Sequence, residues 1–217
     1  MEPTGAAENL QVIRTLMERS ALYRRAMAPV MLAAGLFGVA GWGVGNALGF
    51  EAGRAFVGFW FGVAALTMMV ALLIVRRQAL RSDEAFWTPP TKRIVRAMTP
   101  PLVAGFLLEI FAFFPGGDAL GGPPVGLWLL LYGVALNSAG LFISRGVRWL
   151  GWLFIIASVV LIPAILYSPA SLTNGRPHLW LQPNAQMGLT FGLLHLIAAA
   201  YLFLTERRGQ AAQSSAV

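Results

Sequence analysis

Residues 55–75 read AFVGFWFGVAALTMMVALLIV, an uncharged run closed by Arg54 on one side and by Arg76 and Arg77 on the other. A helix of that length rises about 30 Å, the thickness of a bilayer's hydrocarbon core. Backbone amides and carbonyls in lipid have no water to bond, so a helix, which pairs them within one segment, is the form such a run must take. Strands of a membrane barrel would alternate polar and apolar residues over about ten positions. Nothing in the run alternates that way.

Working outward, five more segments approach the same length: Met27–Phe50, Pro100–Phe114 (or from slightly earlier), Val125–Ile143, Val147–Tyr167 and Met187–Leu204. The expected fold is an all-α transmembrane bundle of six spans over residues 27–205. A cytoplasmic segment, residues 1–26, precedes it and a short tail, residues 206–217, follows. Composition agrees: 57% of the 217 residues are apolar and 12% charged, against roughly 25% charged in an average soluble domain. Mean hydropathy is +0.67. The chain has no cysteine, which excludes disulfide frameworks, thiolate metal sites and cysteine nucleophiles. The first twenty-five residues hold no apolar stretch of signal-peptide type, so targeting is expected to rest on the first span.

The net charge of +7 would suggest nucleic acid on a soluble surface; here it reads as topology. With the N-terminus in the cytoplasm, fourteen of the sixteen basic residues fall on the inner side, and only Arg54 and Arg176 fall outside. That is the positive-inside bias of a bacterial inner-membrane protein with both termini cytoplasmic. Trp128, Tyr167 and Trp180 are expected near the outer interface, with Trp87, Trp149 and Trp152 near the inner one. Gly49–Gly53 and Ser144–Gly146 read as tight helical hairpins. Longer connections are 76–99 inside and 115–124 and 168–186 outside, and the tail from Gly209 is expected to be disordered.

Glu8–Ala26 reads as an amphipathic interfacial helix, with Leu10, Ile13, Met17 and Ala21 at helical spacing. Its Arg14, Arg19, Arg24 and Arg25, with Lys92, Arg93 and Arg96 of the inner loop, are candidate contacts for anionic lipid headgroups. Thr88-Pro89-Pro90 and Thr99-Pro100-Pro101 bracket that loop's densest charge; a helix beginning near Lys92 would carry the second proline pair inside it. Gly41, Gly45 and Gly49, and Gly58 with Gly62, repeat every four residues, which permits the first two spans to approach closely. The first span could also support a homo-oligomer.

Polar residues at membrane depth are costly unless paired or functional. Glu109 lies near the outer end of the third span and His195 near the middle of the sixth, where they could pair. Asn137 and Ser138 suit interhelical hydrogen bonds. His195 could ligate a haem or pigment, but a second membrane histidine is missing because His178 belongs to an outer loop. No cofactor is implied otherwise. No phosphate-cradling loop, zinc-binding helix or nucleophile elbow is present.

Asn9-Leu10-Gln11-Val12-Ile13-Arg14, followed by Leu16-Met17-Glu18-Arg19 and Tyr23-Arg24, resembles the opening of a bacterial family of small, uncharacterised integral membrane proteins. The likeness covers about the first fifty residues and implies no activity, cofactor or catalytic residue. The expected function is that of a non-enzymatic accessory, regulatory or scaffold subunit of a membrane assembly. Its expected partners are the bilayer, anionic headgroups and a protein partner or second copy, without nucleic acid. A small oligomeric transporter or channel using Glu109, and His195 with it, is the alternative. A haem- or pigment-associated subunit is the third.

Overall fold

The computed structural model describes residues 27–81, 87–110, 125–166 and 182–214, and every element among them is helical. They are α1 (Met27–Ala47), α2 (Gly53–Arg81), α3 (Pro89–Ile110), α4 (Val125–Gly140) and α5 (Arg145–Leu166). A last continuous helix comprises α6 (Pro183–Met187), a π-helical stretch Gly188–Leu194, and α7 (His195–Ser214). The amphipathic segment Glu8–Ala26 with Arg14, Arg19, Arg24 and Arg25 lies outside the described residues, as do Tyr167, Arg176, His178 and Trp180.

Local chemistry sets the helix ends. Gly49 has φ +70°, its amide bonds the Asn46 carbonyl, and the Phe50 amide reaches back to Gly45. That pair of bonds terminates α1 on a left-handed glycine. Thr88 precedes two prolines at the start of α3, where their missing amides leave nothing unpaired, and its hydroxyl faces the Thr91 amide at 3.5 Å. Ser144 receives the Val147 amide in the same way at the start of α5. At the C-terminus, α7 continues through Gly209 to Ser214, where a disordered tail was expected.

Four stretches are long and apolar enough to cross a membrane: Met27–Ala47, Gly53–Arg81, Arg145–Ile162 and Pro183–Thr205. The sequence led to an expectation of six. The difference lies in α3 and α4. Helix α3 starts eleven residues before Pro100, so Lys92, Arg93 and Arg96 join it and Pro100 and Pro101 fall inside it. Helix α4 is apolar but has 16 residues, a rise of about 24 Å.

Helices adjacent in sequence run antiparallel, as do α1 and the last helix. Along α1 and the last helix, Gly45 meets Asn184, Gly38 meets Gly192 and Gly35 meets Leu196. Along α4 and α5, Gly126 meets Ile162, Gly133 meets Gly151 and Ile155, and Gly140 meets Arg148. Gly105 of α3 faces Leu131 of α4, and α5 crosses α7 where Gly146 lies near Leu202. The ends of α2 and α4 and the starts of α3 and α5 therefore share one end of the bundle. That end holds Arg76, Arg77, Arg81, Lys92, Arg93, Arg96, Arg145 and Arg148, while Glu51 and Arg54 lie at the other. Trp87, Trp149 and Trp152 are exposed near the basic end.

Glycines decide how closely these helices pack, and not all at the expected positions. A methyl group on Gly133 would lie 2.7 Å from the Gly151 carbonyl oxygen, and one on Gly38 would lie 2.6 Å from the Gly192 amide nitrogen. Both contacts are backbone against backbone. Gly41 and Gly45 do face α2, through Trp60 and Phe59, but Gly58 and Gly62 have nothing within 4 Å. The closest partner of α1 is the last helix, not α2.

Candidate functional site

His195 stands where the π-helical stretch gives way to α7. Its backbone amide bonds Gly192, which leaves its imidazole to reach the Phe191 carbonyl from Nδ1 at 2.6 Å. A carbonyl only accepts, so Nδ1 carries the proton and the neutral ring's Nε2 accepts from the Tyr132 hydroxyl at 2.8 Å. Phe154, Phe191 and Tyr132 enclose the ring, with centroids 5.0 to 6.4 Å apart. His195 is 2% exposed. This is a hydrogen-bonded aromatic clasp joining α4, α5 and the last helix, and π-helical geometry is what aims its central residue.

Two expectations change as a result. His195 does not bond Glu109, because Tyr132 and Phe191 take both of its nitrogens. A haem iron would have to displace Tyr132 from Nε2, the nitrogen that points away from the helix. Among the described residues no three histidine, aspartate or glutamate side chains gather as a metal site.

A second polar junction was not anticipated. Asn184 is fully buried; its Oδ1 accepts from Trp60 Nε1 at 2.9 Å and its Nδ2 donates to the Phe50 carbonyl at 2.9 Å. One side chain thus ties the start of the last helix to α2 and to the turn after α1. The sequence reading left Asn184 in an outer loop, although Pro183 at a helix's first position marks the boundary that places it inside. Ser158 of α5 likewise donates to the Gly126 carbonyl of α4 at 2.8 Å.

Glu109 sits on the last turn of α3, 6% exposed. Beside it lies the Trp128 indole, whose Nε1 is buried without an aligned acceptor. Trp128, expected at the outer interface, is partly buried in the first turn of α4. It stacks with Phe56 and Phe61 of α2, and Phe61 in turn meets Phe106 of α3. Asn137 and Ser138 are half-buried on α4. The Asn137 amide nitrogen has no partner, and its backbone lies against Gly151, so its contribution to the α4–α5 contact is steric. Lys92, Arg93 and Arg96 are exposed at the start of α3.

No family model, curated protein or solved structure matches this chain.

Proposed function

We propose that this chain is a six-span protein of a bacterial inner membrane, with both termini cytoplasmic, acting as a non-enzymatic accessory or scaffold subunit. One observation carries the reading: five polar side chains at depth bond the chain's own atoms. His195, Tyr132, Asn184, Trp60 and Ser158 hold helices together, as suits a stiff body whose polar groups serve the fold. Antiparallel packing of α3 on α4 and the basic end shared by α2, α3, α4 and α5 support the six-span topology.

Purification from native membranes in mild detergent tests the role. A stoichiometric membrane partner is expected to co-elute on size exclusion and to be identified by mass spectrometry. A chain that elutes alone in every mild detergent ends the accessory reading.

Glu109 favours a second reading, a small transporter or channel, because it is a buried carboxylate with no cation beside it among the described residues. Glu109→Gln and Glu109→Ala are then expected to abolish ion or proton flux in proteoliposomes. Unchanged flux in both variants removes Glu109 from any transport role.

A further inference from the structure

Helices α2, α3 and α4 converge on one carboxylate and four aromatic rings. Phe56 and Phe61 stack on Trp128 with centroids 6.0 and 5.5 Å away. Phe106, one turn before Glu109, lies 5.5 Å from Phe61. Helices α2 and α3 meet through these rings and not by close backbone approach. Phe106 is half exposed, while Glu109 on the next turn is buried.

No cation among the described residues compensates Glu109. An ionised carboxylate at such depth costs a few kcal/mol unless a countercharge accompanies it. Aromatic faces attract cations too, and most strongly where water is excluded. A hard metal ion is poorly served, since calcium or magnesium requires about six or more oxygen ligands and this place offers one carboxylate. A cation that carries its own apolar surface meets both demands at once.

We propose that Glu109, Trp128, Phe61 and Phe106 form a binding site for a monovalent lipophilic cation of the quaternary ammonium or phosphonium class, where the rings of α2, α3 and α4 meet beside the carboxylate. The proposal rests on the second functional reading, which places chemistry at Glu109, and adds the ligand's class. The carboxylate supplies the countercharge and the rings supply the wall.

The test is calorimetric titration of the full chain in detergent micelles with tetraphenylphosphonium. Saturable one-site binding is expected. Glu109→Gln should weaken it at least about tenfold, a loss of about 1.4 kcal/mol. Glu109→Asp, which keeps the charge, should weaken it less, and Glu51→Gln, at an exposed carboxylate, should leave it unchanged. Neutral triphenylphosphine oxide should fail to displace the bound cation from the native chain. Absence of saturable binding, equal binding by a Glu109→Gln variant of native helicity, or displacement by the neutral oxide would each overturn the site. Binding without flux in vesicles keeps the site and ends only the transport reading.

Discussion

At the scale of single residues, the hydrogen bond between Tyr132 and His195 is a part-buried pair with a fixed direction. Tyr132→Phe removes the donor and keeps the ring, so its cost isolates the hydroxyl. A double-mutant cycle with His195→Phe should give a coupling of about 0.6–1.7 kcal/mol, the range for interhelical bonds in membranes, read from the chain's unfolding midpoints in detergent. Asn184→Ala strips partners from both the Trp60 indole and the Phe50 carbonyl. It should cost about 1–3 kcal/mol for each group left buried and unpaired, with a matching fall in melting temperature. Glu109 and His195 were legible from the sequence because a carboxylate and an imidazole stand out in apolar runs. Tyr132 and Asn184 were not, because one hydroxyl inside an apolar run gives no sign of its partner and an amide beside a proline passes for a loop residue until its neighbours are known.

At the scale of elements, two kinds of glycine separate. Gly133→Ala pushes a methyl against the Gly151 carbonyl at 2.7 Å and the Ile155 amide at 2.9 Å, neither of which can swing aside. It should cost about 1–3 kcal/mol, as overpacking does, and loosen the α4–α5 hairpin. Gly58→Ala and Gly62→Ala meet open space and should leave the melting temperature unchanged or slightly raised, because alanine favours the helix. A reversal of that order in thermal unfolding would refute the packing described. The α1–α2 and α4–α5 turns could be read from Gly49–Gly53 and Ser144–Gly146, since turn chemistry is local. The partner of α1 could not, because four-residue glycine spacing says that a helix can be approached and not by which neighbour. Gly188 and Gly192 carry that same spacing on the last helix, and it is their stretch that α1 meets.

For the whole molecule, the absence of cysteine makes a clean background for labelling. Single cysteines at Glu51, Lys92 and Arg145, probed with a membrane-impermeant maleimide on intact spheroplasts, should react only at position 51. Labelling at 92 or 145 without lysis would sink the six-span orientation. The contact between α1 and Gly188–Leu194 also bears on how the chain is made. Helix α1 leaves the ribosome well before its partner, since the surface that covers Gly35 and Gly38 lies about 150 residues later. Until then those glycines face lipid or a temporary chaperone, and a nascent chain stalled before Gly188 displays them. Synthesis thus closes a ring, with an early helix held open for a late one.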